Sequence, residues 1–153
     1  MSPDERYLAL ADERPPAPPE GGIYKPVVVT GNQIWVSGHG PMRADKSWVT
    51  GKLGADLDTP AGAAAARLVG LGILASLRAE LGSLNEVGRV IKLLGMVNAT
   101  PDFGQQPKVI NGCSELFVEI WGDERGVGAR SAVGMASLPS GIAVEIEAVF
   151  ERV

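Results

Sequence analysis

Two short runs of β-forming residues open the patterned part of the sequence. Lys25–Thr30 is rich in valine, and Gln33–Ser37 reads Gln-Ile-Trp-Val-Ser. The pair between them, Gly31-Asn32, suits a two-residue turn because both residue types tolerate positive φ. The pattern predicts a β-hairpin that ends in the glycine-rich loop Ser37-Gly38-His39-Gly40-Pro41.

A long helix is predicted over Ala61–Leu81. Thr59 is a suitable N-cap, and Pro60 suits the first helical position. Gly82 is a natural C-terminal stop. Apolar residues recur at helical spacing and form a stripe wide enough to cover a sheet, namely Ala64, Leu68, Leu71, Leu74, Ala75, Leu77 and Leu81.

The rest of the pattern adds one helix and three strands. Val87–Asn98 predicts a strand and about Pro107–Trp121 a helix. Ser131–Leu138 and Ile142–Arg152 predict two strands joined by Pro139-Ser140-Gly141, and a short edge strand is expected near Trp48–Leu53. The order β-β-α-β-α-β-β predicts an α+β two-layer sandwich, with two helices on one face of the sheet.

The last predicted strand has two chemically different faces. Its apolar face consists of Val144, Ile146, Ala148 and Phe150, and its polar face of Glu145, Glu147 and Glu151. The apolar side is expected to meet the helices. The carboxylate side cannot be an ordinary second core, so we expect it either to be hydrated or to line an interface that contains a polar site.

Composition excludes several classes of site. The chain has 153 residues, 14 basic against 18 acidic, a net charge of −4, one cysteine and one histidine. One cysteine allows neither an internal disulfide nor a cysteine zinc cluster, and one histidine excludes a multi-histidine metal site. We therefore expect no metal site built on cysteine or histidine clusters. A negative net charge makes a nucleic-acid partner unlikely, because such partners normally require a basic face.

The N-terminal residues favour a soluble chain with a short lead-in. Residues 1–16 are interpreted as an N-terminal extension and residues 17–153 as a single domain. Residues 15–22, Pro-Pro-Ala-Pro-Pro-Glu-Gly-Gly, predict an extended arm because proline fixes φ and lacks an N–H. The start is polar and acidic, and no run of about 18 apolar residues occurs. We expect a cytoplasmic protein that does not bind membranes.

The candidate chemistry centres on Arg130 and Glu145. A guanidinium binds a carboxylate through two parallel hydrogen bonds, and a nearby carboxylate can hold a water or exchange protons. The alternative is an ordinary ion pair on the sheet surface. If the last two strands pair through the Pro139-Ser140-Gly141 turn, the two residues need not meet within one subunit. Cys113 is expected to pack inside a helix stripe rather than to react.

The sequence resembles the YjgF/RidA family of reactive-intermediate deaminases, also labelled endoribonuclease L-PSP. The resemblance covers roughly residues 17–152. Its most specific stretches are Ala129-Arg130-Ser131-Ala132-Val133, Leu138-Pro139 and Val144-Glu145-Ile146-Glu147-Ala148, supported by Gly22-Ile23-Tyr24, Ser37-Gly38, Pro101-Asp102-Phe103, Asn111 and Glu115.

The resemblance implies a chorismate-mutase-like fold assembled as a homotrimer with a central β-barrel and clefts between subunits. It implies hydrolysis of small 2-imino or 2-enamino acids to 2-oxo acids and ammonia, without metal or cofactor. Arg130 would hold the substrate carboxylate and Glu145 would position the attacking water. Positions matching Tyr24, Ser37 and Asn111 would also line the cleft.

Two positions depart from the family pattern. Many members have a cysteine two residues after the arginine, where this chain has Ala132, so thiol chemistry is absent there. Ser-Gly-Gln is common where this chain has Ser37-Gly38-His39. His39 is expected either to line the cleft and change substrate choice, or to bond to backbone within its loop. For Glu147, a hydrated glutamate is favoured over a paired-carboxylate role.

Three functions are therefore compared. The first is an imine or enamine deaminase, and the second is a member of the family that binds a small carboxylate without turnover. The third, RNA cleavage, is suggested by the family label and is disfavoured by the net charge and the single histidine.

Overall fold

The computed structural model describes residues 1–19 and 21–153; Glu20, within the predicted extended arm, lies outside the described residues. The helices are α1 (Pro3–Leu8), α2 (Thr59–Leu81), α3 (Gln106–Trp121) and α4 (Asp123–Gly126). The strands are β1 (Val27–Thr30), β2 (Gln33–His39), β3 (Val87–Asn98), β4 (Ala129–Met135) and β5 (Val144–Arg152). Short 3₁₀ turns span Leu84–Glu86 and Pro139–Gly141.

The strands form one mixed sheet in the order β1-β2-β5-β3-β4. All neighbours are antiparallel except β3 and β4, which are parallel. The α+β prediction is confirmed, as is the hairpin of β1 and β2. The last two strands do not pair with each other, because β3 lies between them. Helix α3 carries the chain back from the end of β3 to the start of β4, and such a crossover makes neighbouring strands parallel.

The predicted element boundaries need three corrections. Near Trp48–Leu53 the chain forms isolated bridges, such as Thr50 with Ile142, rather than a strand. β4 ends at Met135, short of the predicted Leu138. The N-cap of α2 is Asp58 rather than Thr59, because the Asp58 carboxylate accepts a hydrogen bond from the Ala61 N–H at 2.9 Å. The predicted stop at Gly82 is confirmed, with φ at 85°.

Helix α2 is buried around most of its circumference. Every residue from Val69 to Leu77 is buried, whereas Ala64, predicted to point inward, is exposed. The predicted stripe fails there because α2 packs against several neighbours, including the sheet, α3 and the N-terminal segment. A window of 18 residues has a mean hydropathy of 1.5, enough by composition for a membrane span, but 61% of it is buried inside the fold. Its apolar character is therefore explained by packing in the core of the fold.

The N-terminal segment packs onto the helical layer. Ser2 and Glu5 form a capping box that begins α1. Asp4 forms an ion pair with Arg78 of α2 at 2.9 Å, and the Tyr7 side chain is only 4% exposed in the core. The interpretation of residues 1–16 as an extension separate from the domain stays a prediction, but these residues cover the outer side of the helices.

The two faces of the sheet differ as the alternation in β5 predicts. Val144, Ile146, Ala148 and Phe150 are buried beneath the helices. The opposite face, here called the open face, bears Glu145 and Glu147. It also carries four large apolar side chains that are 38–50% exposed, namely Val28, Trp35, Ile91 and Val133. This face is therefore neither a closed core nor a simple hydrated surface.

Candidate functional site

Arg130 and Glu145 lie on opposite faces of the sheet. Arg130 is paired in register with Leu93 of β3, which is buried on the helix side. Glu145 is paired with Met96, three residues further along β3. Successive side chains of a strand alternate between faces, so positions 93 and 96 point in opposite directions. Within one chain the two residues therefore do not form the ion pair that was the alternative interpretation.

Arg130 occupies a small pocket at the edge of the sheet, beside α3. Its Nη1 donates hydrogen bonds to Asn111 Oδ1 at 2.8 Å and to Ser114 Oγ at 3.0 Å. Asn111 and Ser114 are three residues apart, so they share one face of α3. The pocket measures about 240 Å³ and is lined by Leu93, Asn111, Ser114, Gly126, Val127, Gly128 and Arg130. We call it the Arg130 pocket.

The guanidinium in this pocket keeps N–H groups that can bind a ligand. Across residues 1–19 and 21–153, Arg130 makes no ion pair, and its Nε and Nη2 make no hydrogen bond. Asn111 and Ser114 are neutral, so they orient the side chain without cancelling its charge. A half-buried arginine of this kind can bind a carboxylate through two parallel hydrogen bonds.

Glu145 lies in a wider groove on the open face. The groove measures about 540 Å³ and is lined by Gly21, Tyr24, Ser37, Gly38, Gly40, Trp48, Pro139, Ser140, Ile142, Glu145 and Glu147. We call it the Glu145 groove. The carboxylate lies directly against the backbone of Gly38, where an added Cβ would collide with Oε2. A side chain at position 38 would therefore displace the carboxylate from this place.

The environment of Glu145 favours its protonated form. Burial raises the pKa of the Glu145 carboxyl above its usual value, and the negative charge of Glu147 on the same face raises that pKa further. Among the described residues, no hydrogen bond to the Glu145 side chain holds it in place. A half-buried carboxyl group with a raised pKa is a stronger base than an ordinary glutamate and is suited to accept and return protons.

Two other predicted residues line the same groove. Tyr24 is 47% exposed, with its ring at the rim. Ser37 lies on β2 next to Gly38, and its hydroxyl donates to the Lys25 carbonyl at 2.6 Å. The Ser37 oxygen keeps lone pairs that can accept a hydrogen bond from a ligand. Tyr24, Ser37 and Glu145 thus share one cavity, whereas Arg130 and Asn111 share the other.

His39 lies mainly behind the groove, on the helix side of the sheet. The ring is 6% exposed, with Nδ1 at 2.6 Å from the Ser37 carbonyl oxygen and Nε2 at 2.8 Å from Ser76 Oγ. A carbonyl can only accept, so Nδ1 carries the proton and Nε2 accepts from the Ser76 hydroxyl. Burial lowers the pKa of His39. The ring also borders a cavity of about 150 Å³ beside Pro18 and Tyr24. Its two hydrogen bonds connect the end of β2 to helix α2, so neutral His39 stabilises the backbone next to the Glu145 groove.

The comparisons with known proteins agree with this architecture. Residues 4–140 match the model of the family described as "YjgF/chorismate_mutase-like, putative endoribonuclease". The chain belongs to this YjgF-like family. It is 44% identical over 128 residues to Protein TCP17 of Trypanosoma cruzi, a match that covers 84% of this chain and 80% of that protein.

Solved structures extend the likeness over almost the whole chain. The crystal structure of Atu1372 from Agrobacterium tumefaciens, a protein of unknown function, has a TM-score of 0.86 at 41% identity and covers 98% of this chain and 91% of that one. A "putative endoribonuclease" from Shewanella oneidensis has a TM-score of 0.91 at 29% identity, covering 99% of both chains. These matches confirm the YjgF-like fold.

Ala132, a candidate site residue from the resemblance, lines neither the Arg130 pocket nor the Glu145 groove. It is paired in register with Gly95 and packs partly buried against the core. Cys113 is fully buried in α3, and burial raises the pKa of its thiol, as expected for a packing residue. In the described part of the chain, no three His, Cys, Asp or Glu side chains come together as a metal ion would require.

Sequence reasoning missed several residues that line these cavities. Ser114 could have been found from its position one helical turn after Asn111. Trp48 and Ile142 gave no such signal because loop contacts between distant segments bring them to the groove. In the structure both side chains reach Gly40, where an added Cβ would lie 2.9 Å from Trp48 Cζ3 and 3.1 Å from Ile142 Cδ1.

Proposed function

We propose that this protein hydrolyses 2-imino and 2-enamino acids to 2-oxo acids and ammonia. The observation that carries this proposal is the half-buried Arg130 guanidinium, oriented by two neutral residues and free to bind a substrate carboxylate. The raised pKa of the Glu145 carboxyl supplies a group suited to the proton transfers of hydrolysis. No metal or cofactor takes part in this scheme.

The two halves of the site are joined between copies of the chain. Arg130 and Glu145 face opposite sides of one sheet, so a single small substrate cannot reach both within one chain. A second copy that packs on the open face brings its own Arg130 pocket to the Glu145 groove. The exposed apolar residues of the open face support such an interface, and a homotrimer is the assembly we expect.

Hydrolysis then follows simple chemistry. An enamine first tautomerises to the imine, and the Arg130 guanidinium holds its carboxylate. The water oxygen bonds to C2 of the protonated imine while one water proton passes to Glu145, which gives a carbinolamine. Glu145 returns that proton to the amino group, and the C2–N bond breaks with its electron pair leaving on nitrogen. The hydroxyl proton is lost as the C2 carbonyl forms, so the products are the 2-oxo acid, ammonia and one proton.

The remaining groove residues act on the same intermediate. The Ser37 oxygen and the Tyr24 hydroxyl line the groove beside Glu145, where they hydrogen bond to the carbinolamine. Glu147 is exposed and contributes mainly through its charge, which keeps the pKa of Glu145 raised. Imines hydrolyse in water unaided, so positioning one water beside C2 of the bound substrate supplies most of the acceleration required.

RNA cleavage is the function that the family description names, and it is less well supported. The net charge of −4 is unfavourable for a polyanion. The single histidine is buried and hydrogen-bonded to Ser37 and Ser76, so it is poorly placed for acid–base catalysis on RNA.

We place the deaminase in the cytoplasm, where amino-acid metabolism produces such imines.

The proposal is tested with 2-imino acids generated in situ by an amino-acid oxidase. Ammonia release above the spontaneous rate is expected for the native chain. Arg130→Ala should lower kcat/KM by at least about 100-fold, since it removes the charged partner of a substrate carboxylate. Arg130→Lys keeps the positive charge but cannot form two parallel hydrogen bonds with a carboxylate, so its kcat/KM should lie between those of the native chain and Arg130→Ala.

Two controls complete this test. Arg89→Ala removes an exposed arginine from β3 and should leave the rate unchanged. Light scattering should give three times the chain mass of 16.0 kDa. A monomer with full activity would contradict a site shared between copies. If Arg130 proves necessary for binding 2-oxo acids although no imine is hydrolysed, the protein is a carboxylate-binding member of the family.

A further inference from the structure

The Glu145 groove has an apolar wall that the proposed chemistry does not use. Trp48, Ile142 and Pro139 line the groove together with Glu145. A substrate with a single methyl or methylene side chain would leave this wall in contact with water. Ile142 is itself buried, but leaving the exposed Trp48 indole in water beside an active site has a cost in free energy that a matching ligand removes.

Trp48 is held firmly although its ring is 39% exposed. It follows a tight turn in which the Arg43 N–H donates to the Ser47 carbonyl at 2.8 Å and the Val49 N–H donates to the Pro41 carbonyl at 3.0 Å. The Arg43 guanidinium also donates to the Trp48 carbonyl at 3.1 Å. The backbone that carries the indole is therefore preorganised, which lowers the entropy lost on ligand binding.

The indole packs edge-on over the backbone of Gly40. An added Cβ at Gly40 would lie 2.9 Å from Trp48 Cζ3 and 3.1 Å from Ile142 Cδ1, so only glycine lets both side chains meet there. Both side chains therefore approach the groove at Gly40, with the Trp48 indole exposed and Ile142 buried beside it. Tyr24 completes the groove with a second aromatic ring at the rim.

Size and charge restrict what can fill this space. The groove of a single chain measures about 540 Å³ before a neighbouring copy closes it, and ligand cavities of about 300–1,000 Å³ typically hold molecules larger than a three-carbon acid. Glu145 and Glu147 both line the groove, so a second carboxylate on the ligand would be repelled. The wall therefore suits an apolar group and disfavours an acidic one.

Building on the proposed function, we propose that Trp48 determines specificity and that the substrates are 2-imino acids with an aromatic or branched aliphatic side chain. The carboxylate of such an acid is held by Arg130 of a neighbouring copy, and C2 lies at Glu145. The side chain then extends along the exposed indole of Trp48. Imines derived from phenylalanine or leucine are preferred over those from alanine or aspartate.

The test compares imines generated from phenylalanine, leucine, alanine and aspartate, using the native chain, Trp48→Ala and Trp48→Phe. The native chain should favour the phenylalanine imine over the alanine imine by about 10-fold or more in kcat/KM, the range expected for added apolar contact. Trp48→Ala should abolish most of that preference while changing the alanine imine less than about 3-fold. Trp48→Phe keeps an aromatic wall and should retain the preference.

Binding of phenylpyruvate and pyruvate, measured by calorimetry, separates this proposal from the deaminase proposal. Preferential binding of phenylpyruvate that Trp48→Ala removes supports the specificity of the groove even if no imine is hydrolysed. Equal hydrolysis of all four imines, unaffected by Trp48→Ala, overturns the role of Trp48 and leaves the deaminase intact. Absence of both binding and hydrolysis overturns both proposals.

Discussion

The Arg130 pocket and the Glu145 groove are built in contrasting ways. The pocket is narrow, and its guanidinium is fixed by the two hydrogen bonds that it donates to side chains of one helix. The groove has more than twice the volume, and its charged group has no hydrogen bond among the described residues. The first arrangement suits recognition of one invariant feature, a carboxylate. The second leaves room for proton transfer and for side chains of different size.

This contrast divides binding from catalysis. A rigid, fully charged anchor contributes equally to the ground state and the transition state, so its loss appears mainly in KM. A carboxyl with a raised pKa contributes as protons move, so its loss appears mainly in kcat. Variants in the two cavities should therefore produce opposite kinetic patterns, and a shared pattern would remove the distinction.

The largest effect is expected from Glu145→Gln. Glutamine keeps the size of the side chain but cannot accept the water proton, so kcat should fall by about 100-fold or more, while KM changes less than about 3-fold. The native kcat/KM should decline as pH falls through the raised pKa of Glu145, because the base becomes protonated. That decline should begin at a higher pH than an ordinary glutamate would give, and the variant should lack it.

A matched control lies on the same strand and face. Glu151→Gln removes a carboxylate that hydrogen bonds to Asn32, outside the groove, and should leave both kinetic constants unchanged. Steady-state rates from pH 4.5 to 9 measure both variants. An unchanged kcat in Glu145→Gln would assign the proton transfers to another group.

A smaller effect of the opposite kind is expected from Asn111→Ala. The change removes one of the two hydrogen bonds that orient Arg130, and a hydrogen bond to a charged group contributes roughly 1.5–3 kcal/mol. KM should rise about 10-fold or more with kcat nearly constant. Lys108→Ala, exposed in the first turn of the same helix, serves as the control. A fall in kcat without a change in KM would show that Asn111 acts on the reacting atoms.

The sequence predicted the parts of this molecule that depend on local patterns. The boundaries of β3 and the start and end of α3 follow from apolar periodicity and from Pro107, and the alternation in β5 separated the buried face from Glu145. Ala64 was assigned to the wrong side because burial of α2 depends on its neighbours, which include an N-terminal segment far away in sequence.

The candidate site was predictable only in part, for the same reason. Arg130, Asn111, Tyr24, Ser37 and Glu145 were named from the resemblance, but their division into two cavities depends on strand order. The parallel placement of β4 beside β3 follows from the α3 crossover, and pairing of β4 with β5 would have given a different arrangement. Trp48 reaches the groove through a loop contact with Gly40, which no periodicity in the chain encodes.

The smallest expected effect concerns stability and tests the support beneath the Glu145 groove. Burial lowers the pKa of His39 in the fold, whereas the unfolded chain takes up a proton near pH 6.5. The unfolded state therefore binds more protons as pH falls, so the contribution of neutral His39 is complete above pH 6.5 and is lost below it. The slope cannot exceed about 1.4 kcal/mol per pH unit for one proton.

His39→Gln should flatten this dependence between pH 7 and pH 5, because glutamine does not titrate. Ser76→Ala provides the comparison: it removes the hydroxyl bonded to Nε2 and costs about 1 kcal/mol, but it leaves the histidine able to titrate, so the slope persists. Urea unfolding at fixed protein concentration measures both variants, since assembly would make stability depend on concentration. If the unfolding free energy changes equally with pH in the native chain and in His39→Gln, His39 is already accessible to protons in the folded state. The segment beneath the Glu145 groove would then be less rigid than its hydrogen bonds indicate.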